Sequence, residues 1–176
     1  MIRCTFAGHR DVTGISVSDI MAVLETIILK SDEVIECLVG GMGKFDELSA
    51  SAVRELKRKY RNRKINLVLI LPYMQQRINE DKAYYEMMYD EIIVPSHLDG
   101  VHYKKAIVLR NRWMVEQSEY VIAMVQRRYG GAFAMLQFAE KNKKIIFNLS
   151  NEKMKFGFHL IKINNSKELK TLYSKF

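Results

Sequence analysis

The chain has 176 residues, a net charge of +8 and 48% hydrophobic residues, a length and composition suited to one compact domain with a sizeable core. No uncharged apolar run approaches the roughly 20 residues needed to cross a bilayer, which argues against a helical membrane protein, and two cysteines are too few for a secreted disulfide framework. The positive charge is compatible with an anionic partner, but it bears first on solubility and encounter rate.

Ile2 to Phe6 reads as a short buried strand, without the long apolar segment of a signal peptide, so the expected location is the cytoplasm. Gly8-His9-Arg10 follows it. After Gly14, the spacing of Val17, Ile20, Met21, Leu24 and Ile28 predicts a helix, capped by Ser16 or Ser18. Val34 to Val39 is the second strand, and it runs into the turn Gly40-Gly41-Met42-Gly43-Lys44-Phe45-Asp46. Leu48, Ala52, Leu56 and Tyr60 then mark the apolar stripe of a second helix. Its end carries Arg54, Lys57, Arg58, Lys59, Arg61, Arg63 and Lys64, cations that the helix dipole favours there and that read as a solvated face.

Ile65 to Leu71 is an aliphatic run ending at Pro72, as expected of a strand covered on both faces. Gln75 to Tyr89 is polar with interleaved Tyr84, Tyr85, Met87 and Met88, and fits a helix or an irregular excursion. Glu91 to Val94 is a short strand ended by Pro95. Tyr103 to Glu116 is a helix with Ala106, Leu109 and Trp113 on one stripe, and Tyr120 to Val125 a strand. Tyr129-Gly130-Gly131-Ala132 opens a helix with Ala132, Leu136 and Ala139 on one face, and Lys144 to Asn148 is the last clear strand. Residues 151–176 form a lysine-containing extension, with an edge strand expected through Phe158 to Ile163.

Strands that alternate with helices and lack a polar face predict an α/β, Rossmann-like fold: a mostly parallel sheet sandwiched between helices, spanning 1–176 as a single domain. Ligands bind such sheets at the carboxyl ends of the strands. Both glycine turns fall there, where glycine permits positive φ and close approach, and the following helix offers unpaired N–H groups. Two such turns suggest a nucleotide-like ligand.

Thr5-Phe6-Ala7-Gly8-His9-Arg10, Gly40-Gly41-Met42-Gly43 with Asp46 and Ala50, Arg110-Asn111-Arg112-Trp113-Met114-Val115, and Gly130-Gly131 before a helix together resemble the SLOG superfamily. That superfamily unites the Smf/DprA DNA-processing proteins with the LOG proteins; the branch most resembled is the YspA/YpsA-like one. The resemblance covers roughly residues 1 to 150 and implies a nucleotide or nucleotide-derived ligand, and it also implies homo-oligomerisation. LOG enzymes release a base from a nucleoside monophosphate and carry a Pro-Gly-Gly-x-Gly-Thr-x-x-Glu pattern. Here the third glycine is Phe133, the threonine is Ala134 and the glutamate is Gln137, and an amide cannot take a proton as a carboxylate does.

The ligand-binding set expected from these motifs is Gly8, His9, Arg10, Gly40, Gly41, Gly43, Asp46, Arg110, Asn111, Gly130 and Gly131. Arg10 is suited to a phosphate, or alternatively pairs with Asp11 or another carboxylate. Asp46 fits a ribose contact or a structural cap at its helix start, and Trp113 is a core residue by default. His97, His102 and His159 lack partners at metal-ligand spacing, so no metal is expected; no cofactor is expected either. Cys4 and Cys37 read as buried free thiols. The leading expectation is a nucleotide-binding or sensing protein. The alternatives are an N-glycosidic hydrolase using His9, Asp46 or Glu140 in place of the missing acid, and a single-stranded nucleic-acid-binding protein.

Overall fold

The computed structural model describes residues 1–150. Six strands, β1 (Ile2–Gly8), β2 (Ile35–Val39), β3 (Ile65–Ile70), β4 (Glu91–Ile93), β5 (Tyr120–Met124) and β6 (Ile145–Asn148), form one sheet in the order β4-β3-β2-β1-β5-β6. Every pairing is parallel. The six helices among the described residues are α1 (Val17–Ile28), α2 (Lys44–Lys59), α3 (Gln76–Glu80), α4 (Lys82–Met88), α5 (Tyr103–Gln117) and α6 (Gly130–Lys141), with a 3₁₀ turn at Ser96–Leu98. The expected edge strand through Phe158 to Ile163 lies outside the described residues.

Parallel strands require crossover helices, and helices on both faces leave no wet side for the sheet. Alternate strand residues accordingly enter two cores. Cys37, Val39, Leu67 and Leu69 face Leu24, Ile27, Val53 and Leu56 of α1 and α2. Leu38, Val68 and Ile70 turn the other way, toward Met114 and Val115 of α5 and Met135 and Leu136 of α6. Cys4 and Cys37 are buried free thiols in register on adjacent strands, with sulfurs 3.3 Å apart.

The two serines that competed as the cap of α1 are separated by geometry. Ser16 is extended and its Oγ accepts from Asp19 N–H, while Asp19 Oδ2 accepts from Ser16 N–H at 2.8 Å, a full capping box. Ser16→Ala is expected to cost about 1 kcal/mol, read as a lower urea midpoint at unchanged slope.

Two local expectations change and one open alternative is decided. Gly8 is the last residue of β1, paired with Met124, and does not follow the strand. The excursion from 75 to 89 resolves into α3 and α4, and α4 buries none of its residues. On α5 the buried face is Ala106, Arg110, Met114 and Val115; Leu109 and Trp113 are only partly covered. Arg110 belongs to the buried face because its polar head finds acceptors inside, the Gly40 and Ile70 carbonyls.

Candidate functional site

From β1 the chain steps outward through β2, β3 and β4, then returns by α5 to β5 on the other side of β1. The crevice at the carboxyl ends of β1 and β5 is therefore the point where the winding reverses, the usual ligand position in open α/β sheets. A cavity of about 320 Å³ opens there. It brings together Gly8, His9 and Arg10 after β1, Gly40, Met42 and Asp46 after β2, Arg110, Asn111 and Met114 of α5, and Gly131, Ala132 and Met135 of α6. Gly41, Gly43 and Gly130 do not line it.

The glycines have distinct physical reasons. A Cβ on Gly8 would fall 2.3 to 2.5 Å from the Phe45 side chain, and one on Gly40 would lie 2.4 Å from Arg110 Nη1; both positions keep room for a packed neighbour. Gly41 and Gly43 take φ of 64° and 103°, where a side chain is strained. Gly131 differs from all of these, because nothing lies within 4 Å of where its Cβ would stand and the residue is exposed.

The two glycine turns also differ in the donors they leave free. In the first, Met42 N–H donates to Asp46 Oδ2 at 2.8 Å and Lys44 N–H to the Arg10 carbonyl at 2.9 Å. Asp46 occupies the third position of α2, whose N-cap is Gly43 with no side-chain cap of its own, so the carboxylate serves the loop amide in place of a cap. In the second, Tyr129 caps α6 without a side-chain hydrogen bond, and the first turn carries no acidic residue. The amides at the start of α6 and the positive end of its dipole are thus open to the crevice.

Arg110 is 3% exposed. Its Nη1 donates to the Gly40 carbonyl at 2.7 Å and the Ile70 carbonyl at 2.8 Å, tying the ends of β2 and β3 to α5. Burial pulls its pKa down, and the charges of Asp46 and then Tyr73 oppose that. Burial pushes the Asp46 carboxyl up from 3.8, against the opposing pull of Met42 N–H, the Arg110 charge and Gly40. The two side chains do not touch as an ion pair, yet each supplies the other's balancing charge.

His9 Nε2 accepts from Arg127 N–H at 3.2 Å and so bridges the loops after β1 and β5. An accepting Nε2 places the ring proton on Nδ1, and burial followed by the Arg127 charge lowers the imidazole pKa from 6.5, which keeps the ring neutral at pH 7. Arg10 is exposed and forms no ion pair among the described residues; the alternative pairing with Asp11 is not made. Arg112 turns out of the site, its guanidinium 5.5 Å from the centre of the Phe138 ring.

Gln137, at the position of the LOG glutamate, is exposed and does not line the cavity, and neither does Glu140. Of the residues weighed as substitute acids or bases, His9 and Asp46 reach it. Met42, Met114 and Met135 also line the cavity; none is in the ligand-binding set expected from the motifs, although Met42 and Met114 stand within them. Among the described residues no group of three or more His, Cys, Asp or Glu could hold a metal ion, and no helix is long and apolar enough to cross a membrane.

The basic cluster at the end of α2 is largely neutralised. Lys57 pairs with Asp90 at 2.5 Å, Arg58 with Glu55 at 2.6 Å, Lys59 with Glu25 at 2.5 Å and Arg63 with Asp32 at 2.6 Å. That arrangement is the solvated face expected of it. The cations that line the crevice are instead the buried Arg110 and the exposed Arg10; in the loop after β5, Arg127 and Arg128 are exposed and in no ion pair among the described residues, beside Tyr129, which is 68% exposed.

No family model and no curated protein matches the chain. Among solved structures it is similar to DNA processing protein A (DprA) from Streptococcus pneumoniae, with a TM-score of 0.60 and 12% identity over 84% of this chain and 50% of that one. It is similar also to DNA processing protein A from Helicobacter pylori, described for its single-stranded DNA binding mode, with a TM-score of 0.57 and 16% identity over 84% of this chain and 64% of that one. The chain spans between half and two thirds of these neighbours. At such identities the likeness is one of fold: a Rossmann-like α/β sheet of the kind found in DprA proteins.

Proposed function

We propose that the protein binds a nucleotide or nucleotide derivative in the crevice between β1 and β5, as a single nucleotide-binding domain that senses or retains its ligand without LOG-type base release. The observation that carries this reading is the cavity itself, which gathers segments distant in sequence around one winding-reversal point. The phosphate sits at the start of α6, beside Gly131, with Arg10 as the auxiliary cation. The ribose faces Asp46. Binding is favoured over cleavage because Gln137 replaces the LOG acid and does not line the cavity.

A thermal-shift panel of nucleoside monophosphates, ADP-ribose, NAD and short single-stranded DNA, on wild type and Gly131→Asp, tests this. A nucleotide at a hundred times its Kd adds about 2.7 kcal/mol, which raises Tm by about 5 to 10 °C in a chain of this size. Gly131→Asp meets no neighbour and places a carboxylate in the first turn of α6, so the free variant is expected to melt at or slightly above the wild-type temperature. Its carboxylate occupies and repels the phosphate position, and the nucleotide shift is expected to vanish. A shift that survives in the variant removes the phosphate from α6.

A single-stranded nucleic acid is the second reading. It is supported by the exposed Arg127, Arg128 and Tyr129 and by the fold likeness to a protein described as binding single-stranded DNA. It predicts affinity that falls steeply as salt rises, with loss on Tyr129→Ala. Stabilisation by DNA alone, with no nucleotide active, would replace the first reading by this one.

A further inference from the structure

We propose that Met42 is a displaceable plug over the uncommitted edge of the Arg110 guanidinium, and that an uncharged ligand oxygen, a sugar hydroxyl in the nucleotide reading on which this rests, takes the place of its sulfur. A guanidinium carries five N–H donors. The two on Nη1 are used by the Gly40 and Ile70 carbonyls. The opposite edge, Nε with Nη2, is the side that engages oxygen acceptors as a fork. Here Nε is buried without a partner, and Nη2 meets only the Met42 sulfur, at 3.5 Å.

A thioether is a weak acceptor, and a buried donor left unpaired is unfavourable; the free protein therefore holds this edge in an under-satisfied state. Met42 is the single side chain in the run Gly40 to Gly43, it is half-buried, and it lines the cavity. It stands between Gly41 and Gly43, both at positive φ, and its own unbranched chain has several rotatable bonds. Movement of this side chain alone uncovers Arg110. The charge balance selects the incoming group. Asp46 already offsets the Arg110 charge and lines the same cavity, so a second anion at this depth meets repulsion, whereas a hydroxyl accepts from Arg110 and donates to a carboxylate. The phosphate is thereby left at the rim, near α6.

A sealed ground state lowers apparent affinity by the fraction of molecules that are open. The test uses the full chain and three readouts. Solvent exchange of the Arg110 Nε–H, followed by NMR, is expected to be slow in wild type and in Met42→Leu, and at least tenfold faster in Met42→Ala; equal rates overturn the plug whatever binds. Calorimetry with AMP is expected to show Met42→Ala binding about tenfold more tightly than wild type. Faster exchange with unchanged AMP affinity overturns the displacement step. Faster exchange with no nucleotide bound by either protein keeps the plug and removes the nucleotide reading. In wild type labelled at its methionine methyl groups, which needs no substitution, added AMP is expected to move the Met42 signal; AMP that shifts Met114 and Met135 alone overturns the proposal.

Discussion

Arg110→Met is expected to destabilise the protein by about 3 kcal/mol at pH 7. The side chain fits roughly the same space, but the Gly40 and Ile70 carbonyls lose the donor that joins the ends of β2 and β3 to α5. Each buried acceptor left unpaired costs about 1–3 kcal/mol, and removal of a desolvated cation and its orphan Nε offsets part of that. Asp46 is the second consequence. It loses the positive charge that opposes burial, so its folded-state pKa climbs further above 3.8.

The sign of the pH effect follows from that shift. A carboxyl whose folded pKa lies above the unfolded value binds more protons when folded, so stability falls as pH rises from about 3.8 through the folded value. The substitution widens this window upward. The loss caused by Arg110→Met is therefore expected to be smaller near pH 4 than at pH 7, measured as urea midpoints at both. A loss independent of pH would mean that Asp46 does not respond to Arg110. Arg110→Lys keeps the charge but cannot serve two carbonyls from one planar head, and is expected to recover the pH profile without recovering full stability.

Gly8→Ala is expected to cost about 3 kcal/mol through overpacking, a fall in Tm of about 6 to 12 °C. The added methyl would stand 2.3 to 2.5 Å from Phe45 Cγ, Cδ1 and Cβ, closer than any carbon contact. Phe45 is 1% exposed and sits at the second position of α2, so it cannot swing into solvent. Relief must come from a shift of the α2 start away from β1, which also carries Asp46. Gly8→Ala with Phe45→Leu is expected to recover part of the loss, a coupling of about 1 kcal/mol or more. Additive losses would show that the clash is absorbed elsewhere. Gly131→Ala, at an open position, is expected to change stability by less than about 0.5 kcal/mol, which separates the glycines packed against a neighbour from the one with open space at its Cβ.

Much of this site could be read from residues alone. Gly8, His9, Arg10, Gly40, Asp46, Arg110, Asn111 and Gly131 were singled out by motif and do line one cavity. Their individual roles could not be read in that way. Phe45 looked like part of a glycine turn and is a core residue; Trp113 looked like core and is only partly covered, while Arg110, a cation on the same helix, is buried. Periodicity scores side chains by polarity, whereas burial of Arg110 depends on two carbonyls that are 70 and 40 residues distant. The same holds for Lys57, Lys59 and Arg63 at and beyond the end of α2, whose partners Asp90, Glu25 and Asp32 come from other segments.

What the chain by itself determined is its set of elements and their class. Aliphatic strands with no polar face, alternating with amphipathic helices, leave a parallel sheet with helices on both sides as the arrangement that buries them. These are short-range patterns, legible because strand and helix impose periods of 2 and 3.6 on consecutive residues. Tertiary structure alone decided which glycine turn keeps its amides free, which arginine turns inward, and what covers it. Asp46 closes the first turn on itself, α6 begins uncapped, and Met42 lies on Arg110. Each of these outcomes depends on which donor reaches which acceptor across elements remote in sequence, and that pairing exists only once the sheet order has brought the strand ends together.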